Sequence, residues 1–84
     1  MNPAEIKTVL LRALRRKSPM TEDELIVTAQ AVFGRDAASA STVCELIRDL
    51  DDTGLVTRET DRDGILPPSC MLTARGQHKA KQLG

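Results

Sequence analysis

The fold of this chain is decided by residues 41–76, STVCELIRDLDDTGLVTRETDRDGILPPSCMLTARG. An apolar stripe at helical spacing comes first, formed by Val43, Leu46, Ile47 and Leu50. Gly54 follows and can end a helix in the left-handed conformation without steric penalty. Two β-leaning runs, 55–59 and 69–72, flank a charged tip, and Thr73 is predicted to cap a further helix. The stretch therefore predicts a helix, a β-hairpin and a last helix over 74–83, with Ala80 and Leu83 facing inward.

Two helices are predicted before this stretch. The first opens at Asn2-Pro3 and stops at Ser18-Pro19, because proline suits a first helical turn and cannot continue a helix. Its expected inward residues are Ile6, Val9, Leu10, Ala13 and Leu14.

The second helix has a complete start signal. Thr21 and Glu24 are spaced as a capping box, while Met20 and Leu25 occupy the positions of a hydrophobic staple. Gly34 is predicted to end the helix. Its expected inward residues are Leu25, Ile26, Ala29, Val32 and Phe33.

Length and composition limit the class of protein. The 84 residues predict one domain, and 40 % hydrophobic with 29 % charged residues is ordinary for a folded protein. No apolar run approaches the roughly 20 residues of a transmembrane helix, and no secretory h-region opens the chain. Cys44 and Cys70 are too few for a disulfide scaffold and are expected to act as small, partly buried hydrophobes. We therefore expect a cytoplasmic protein without membrane contact.

Charge is balanced overall but unevenly distributed. The formal net charge of zero argues against a strong nucleic-acid binder, whose domains are usually basic. Residues 1–20 and 69–84 are nevertheless basic, whereas the middle of the chain is acidic. The two basic ends could fold onto one face.

No pattern for catalysis or for metal binding is present in the sequence. Asp61-Arg-Asp63-Gly64 starts like a calcium loop, but the next ligand position falls on Ile65. Cys44, Cys70 and His78 lack metal-ligand spacing, and His78 is expected on the surface. We therefore expect neither an enzyme nor a cofactor. With one Phe and no Trp or Tyr, the chain also lacks a stacking platform for single strands, which favours duplex DNA.

The order of elements and the pattern STV–L–L–GLV–D–LT–G resemble the winged helix-turn-helix domain of MarR-like and PadR-like bacterial regulators. The resemblance implies an α+β fold over 1–84, with a three-helix core, a β-hairpin wing and a C-terminal helix. It implies a small regulator of bacterial or phage origin that binds duplex DNA sequence-specifically. In that fold the third helix enters the major groove.

The resemblance also implies a set of DNA-contacting residues: Ser39, Ser41, Thr42, Arg48, Arg58 and Arg62. The first four belong to the third helix, and the two remaining arginines belong to the wing. Hydroxyls at a helix N-terminus can bond phosphates or base edges. The simpler interpretation is that they only cap the helix and that Arg48 pairs with Glu45 or Asp52. Acidic residues on this helix would be tolerated only if its N-terminal end enters the groove.

A second interpretation is a winged-helix module that binds protein and no DNA. The neutral net charge, the acidic third helix and the apolar Ile65-Leu66 in the wing favour it. A homodimer also stays open, since two half-sites multiply affinity. It would have to use the first or last helix. The four cations Arg12, Arg15, Arg16 and Lys17 would support DNA binding if their helix end faces phosphate.

Overall fold

The computed structural model describes residues 3–59, 63–64 and 68–83. Its elements are α1 (Pro3–Arg16), β1 (Met20–Thr21), α2 (Glu22–Phe33), α3 (Ala40–Asp52), β2 (Val56–Glu59), β3 (Ser69–Leu72) and α4 (Ala74–Leu83). This is the predicted α+β order of three helices, a hairpin and a last helix, with β1 as an addition. Within the described ranges no helix is long and apolar enough to be a candidate membrane span.

The strands form one antiparallel sheet in the order β1-β3-β2. β2 and β3 pair as the predicted hairpin, with Val56 opposite Leu72 and Glu59 opposite Ser69. β1 was not predicted: Met20 pairs with Cys70 on the far side of β3. A two-residue strand has too few positions to show an alternating pattern, so only its partner strand reveals it.

The hydrophobic core draws on every helix and on all three strands. The predicted stripe of α3 is buried in full, and so are Ile6, Leu10 and Leu14 of α1. Leu11 is also buried, which was not predicted.

Two residues predicted to face inward lie at the surface instead. Val32 is 59 % exposed because the buried stripe of α2 centres on Leu25 and Ala29, and Val32 lies on its flank. Leu83 is 36 % exposed because it occupies the end of α4, beyond the buried Ala80. Periodicity indicates which face is apolar but not how much of that face a neighbouring element covers.

A tight junction joins α3 to the wing and to α4. Gly54 has φ +79°, as predicted for the residue that ends α3. The Leu55 N–H donates to the Leu50 carbonyl at 3.0 Å. The Thr73 hydroxyl, at the start of α4, donates to the Gly54 carbonyl at 2.7 Å and accepts from the Gly76 N–H at 3.0 Å. These bonds hold the end of α3 and the start of α4 against each other.

Candidate nucleic-acid interface

The turn between α2 and α3 is held by local hydrogen bonds. Gly34 ends α2 with φ +89°, and its N–H donates to the Gln30 carbonyl at 2.8 Å. The Ala38 N–H then donates to the Gly34 carbonyl at 3.0 Å, and Ala38 is fully buried. This short, anchored turn places the N-terminus of α3 directly after α2, as in a helix-turn-helix.

Three hydroxyls meet at the N-terminus of α3. Ser39 is the N-cap: its Oγ accepts from the Thr42 N–H at 3.4 Å and donates to the Thr42 hydroxyl at 2.9 Å. The Ser41 hydroxyl lies 3.4 Å from that of Ser39 and is exposed. Among the described residues, the backbone N–H groups of Ala40 and Ser41 have no acceptor. The cap therefore exists, and it leaves hydrogen-bond donors open at the positive end of the helix dipole.

Arg48 lies on the outer ridge of α3. Ser41, Glu45, Arg48 and Asp52 follow one another at helical spacing, and all four are exposed. Arg48 forms no ion pair with Glu45 or Asp52, or with any other residue that the structure describes. Its guanidinium is free to bind an external group, contrary to the intrahelical pairing that the sequence also allowed.

The acidity of α3 is partly neutralised by other elements. Asp49 lies 3.7 Å from the Lys7 ammonium of α1, and Asp51 lies 3.5 Å from Arg58 of β2. Glu45 and Asp52 have no such partner within the described ranges. The flanks of α3 are therefore less acidic than the sequence indicates, while its outer ridge keeps two carboxylates beside Arg48.

Arg58 joins three elements at the base of the wing. Its Nη1 donates to Glu22 Oε1 at 3.0 Å, and its Nε lies 3.5 Å from Asp51 Oδ2. The hydrogen bond that Arg58 donates to Glu22 is the largest cause that raises the pKa of Arg58. Burial lowers this pKa, and the charges of Glu22 and Asp51 raise it further. The guanidinium therefore already faces two carboxylates. Neither partner could be predicted from spacing, because Glu22 is 36 residues away in sequence and Asp51 belongs to a different element, α3.

The other wing residues singled out from the sequence, Arg62 and Ile65-Leu66, lie outside the described residues.

Cys44 and Cys70 lie near the Arg58–Glu22 ion pair. Cys44 is partly buried, as predicted, and Cys70 is fully buried. Cys70 of β3 is fully buried, and desolvation is the main cause that raises the pKa of its thiol to about 11. Cys44 of α3 is partly buried, and its thiol lies 3.8 Å from Glu22 Oε2. Burial and the nearby Glu22 raise the pKa of Cys44 as well. Neither thiol has the lowered pKa of a reactive nucleophile.

The two basic ends of the chain meet away from α3. Arg15 of α1 lies with His78 and Lys81 of α4 along a groove that also contains Ser18. No residue of α3 is among the described residues that line this groove. Lys17 is engaged elsewhere, since its ammonium donates to Glu24 at 3.1 Å. Arg15 and Lys81 therefore line a groove to which no described residue of α3 contributes.

A solved structure shares this architecture. The chain is similar to a probable transcriptional regulator from Pseudomonas aeruginosa known from a crystal structure, with a TM-score of 0.74 and 22 % sequence identity. This chain has the winged helix-turn-helix fold. The similarity covers 92 % of it and 53 % of the regulator's chain, so it spans about half the length of that regulator. No protein-family model matches the chain, and no curated protein matches it.

Proposed function

We propose that this chain is the duplex-DNA-binding part of a transcriptional regulator of the MarR-like or PadR-like type and reads its target sequence with the N-terminal end of α3. The observation that carries the proposal is the exposed start of α3. There the free N–H groups of Ala40 and Ser41 lie beside the Ser41 hydroxyl, and Arg48 follows on the same ridge. The structural likeness to a probable transcriptional regulator supports it. We also propose that the protein is cytoplasmic and is not an enzyme.

Each group has a distinct role in the proposed complex. The free N–H groups and the Ser39, Ser41 and Thr42 hydroxyls are suited to phosphate oxygens or to acceptor atoms on base edges. Arg48 lies about two turns further along the helix and can reach a base or the adjacent backbone. In this arrangement Asp49, Asp51 and Asp52 lie beyond Arg48, away from the N-terminal end of α3. Glu45 lies between Ser41 and Arg48 on the same ridge, and its carboxylate opposes phosphate binding there.

The wing is proposed to lie against the backbone next to the groove. Arg58 and Arg62 are its candidate phosphate contacts. A phosphate would have to compete with Glu22 and Asp51 for the Arg58 guanidinium. Arg62 is expected to contribute affinity that does not depend on sequence.

The test is binding to a random duplex library at two salt concentrations, first with the unchanged chain and then with Arg48→Ala. A specific binder should enrich a sequence and lose affinity as salt rises. Loss of a base or phosphate contact at Arg48 should weaken binding by about tenfold. Lys79→Ala, which removes an exposed cation from α4, is the matched control and should have little effect. Affinity that is absent at both salt concentrations contradicts the proposal.

The protein-binding module is a second candidate, favoured by one observation. Glu45 and Asp52 are exposed on the α3 ridge without an ion pair to any described residue. If no duplex binds, the α3 ridge is proposed to bind a protein partner. Glu45→Lys, which reverses the charge at the centre of that ridge, should then weaken binding to the partner. Improved duplex binding by Glu45→Lys would favour DNA instead.

A further inference from the structure

A second surface, unrelated to α3, runs along the seam between α1 and α2. We call it the α1/α2 groove. It is lined by Val9, Arg12, Ala13, Arg15, Arg16, Thr28 and Val32. Because all its lining residues belong to α1 and α2, it can be occupied without touching the proposed DNA-reading end of α3.

The charge of the α1/α2 groove is of one sign. Arg12, Arg15 and Arg16 contribute three guanidinium groups, and none of the described residues lining the groove carries a carboxylate. None of the three arginines forms an ion pair with another described residue. Some other cations of the chain are paired, as Lys7 is with Asp49 and Lys17 with Glu24, whereas Arg48, like these three arginines, is not paired with a described residue. Three unpaired arginines around one groove favour an anionic occupant.

The base of the groove is apolar. Val32 is 59 % exposed, and Val9 and Ala13 are only partly buried. Val9, Ala13 and Arg16 recur on one side of α1, and Thr28 and Val32 recur on the facing side of α2, so each helix contributes a row of side chains. Two such rows, about 10 Å long on α1 and about 6 Å long on α2, form the kind of channel in which a third helix packs in helix bundles.

We propose that the α1/α2 groove docks an acidic amphipathic helix of a partner protein. Its apolar side chains would lie on Val9, Ala13 and Val32, and its flanking carboxylates would pair with Arg12, Arg15 and Arg16. Arginine suits this role because its fork binds carboxylates in a bidentate manner while its stem covers apolar surface.

The apolar base distinguishes this occupant from nucleic acid. A DNA backbone would satisfy the three arginines but would leave Val32 and Val9 against phosphate and water. A helix with one apolar and one acidic face satisfies both parts of the groove, as in known helix-in-groove recognition. Charge complementarity and apolar contact thus select the same partner chemistry.

The probe is a fluorescein-labelled peptide of about 18 residues, roughly five helical turns, with leucines on one face and glutamates on its flanks. A second peptide of identical composition has its leucines distributed around the helix. Fluorescence anisotropy measures binding of each peptide to the intact chain. The amphipathic peptide should bind at least about tenfold more tightly than the redistributed one. Equal affinity for both peptides would show attraction by charge alone and would overturn the proposal.

Two exposed valines of α2 supply a matched pair of variants. Val32→Asp places a carboxylate in the groove and should weaken peptide binding by at least about tenfold. Val27→Asp makes the same change at a 65 % exposed position outside the groove and should leave affinity within about twofold. Equal effects of the two variants would contradict docking in the groove. Arg16→Glu provides a second test, and a peptide affinity that is unchanged in Arg16→Glu would also contradict the proposal. Circular dichroism would check that every variant folds.

Two results would assign the α1/α2 groove to a different occupant. If Arg16→Glu weakens duplex binding as much as Arg48→Ala, and peptide binding is unaffected, the groove is a DNA surface. If sedimentation shows a dimer that Val32→Asp dissociates, the occupant is a second copy of this chain. Either result overturns the proposal.

Discussion

The Arg58 guanidinium of β2 donates a 3.0 Å hydrogen bond to the Glu22 carboxylate at the start of α2. The same guanidinium lies 3.5 Å from Asp51 near the end of α3. The wing, the first helix of the helix-turn-helix and the proposed reading helix therefore share one charged group. This contact sets the base of the wing against the two helices rather than leaving Arg58 as an isolated surface cation.

Arg58→Ala is expected to lower the free energy of unfolding by about 1 kcal/mol. The pairs are partly exposed, with side-chain exposures of 32 % for Arg58 and 25 % for Glu22, so solvent screening keeps their contribution small. Urea denaturation of Arg58→Ala, Glu22→Ala and the double variant would measure the coupling between them. Arg48→Ala removes an arginine with no ion pair among the described residues and should change stability by less than about 0.5 kcal/mol. Strictly additive effects of the Arg58 and Glu22 changes would show that the contact contributes nothing in solution.

Gly76→Ala is expected to destabilise the chain by more than about 2 kcal/mol, although alanine favours a helix over glycine by about 1 kcal/mol. Gly76 is buried in α4, and a Cβ at this position would overlap the backbone carbonyl of Leu55. Backbone cannot move aside as a flexible side chain can. Thermal or urea unfolding of Gly76→Ala would measure the loss. Gln77→Ala, an exposed position of the same helix, is the control, and equal stability of both variants would mean that α4 does not pack on Leu55 as described.

The Glu24 carboxylate should show an acid-dependent contribution to stability. A hydrogen bond from the Lys17 ammonium, followed by one from the Thr21 backbone N–H, holds the pKa of Glu24 below its ordinary value. Because the folded pKa is the lower one, the stabilisation is present above the unfolded pKa and is lost as pH falls through the folded value.

NMR titration of the Glu24 carboxyl carbon would test this directly. In Lys17→Ala the pKa of Glu24 should rise toward its ordinary value, because the first cause of the shift has been removed. Arg16→Ala removes a neighbouring cation that does not contact Glu24 and should leave the titration unchanged. A Glu24 titration that is the same with and without Lys17 would disprove the role of this hydrogen bond.

Thiol labelling should distinguish the two cysteines. Cys70 is fully buried and has a pKa of about 11, so only about one thousandth of it is thiolate near pH 8. Cys44, which is partly buried, should be alkylated first in the folded chain. Mass spectrometry of digested samples would locate the label, and urea should make both sites reactive. Rapid native labelling of Cys70 would show that β3 opens far more readily than its buried position implies.

Much of the local structure could be predicted because its causes lie within one or two turns of the chain. The Thr21–Glu24 capping box and the Ser39 cap involve residues three positions apart, and both are present. Gly54 was recognisable because few other residues adopt its backbone conformation readily. The α3 stripe was recognisable because a helix repeats its faces at a constant interval.

The contacts within the candidate site could be predicted from the sequence only in part. The sequence suggested Ser41 and Arg48 as DNA contacts of the third helix. Both are exposed on α3, and their contact with DNA stays a prediction. It could not assign Arg58 to Glu22 and Asp51, because ion pairs between distant elements depend on how those elements pack. Arg62 stays a prediction, since it lies outside the described residues.

The sequence by itself thus determined the four helices, the two strands of the hairpin, and the buried stripe of α3. Only the tertiary structure decided that Met20 pairs with Cys70, that Val32 stays exposed, and that three arginines surround it in one groove. The physical reason is the range of the interactions. Caps and periodic faces act between near neighbours, whereas strand pairing, coverage of a helix flank and ion pairing depend on the angles and distances at which whole elements meet.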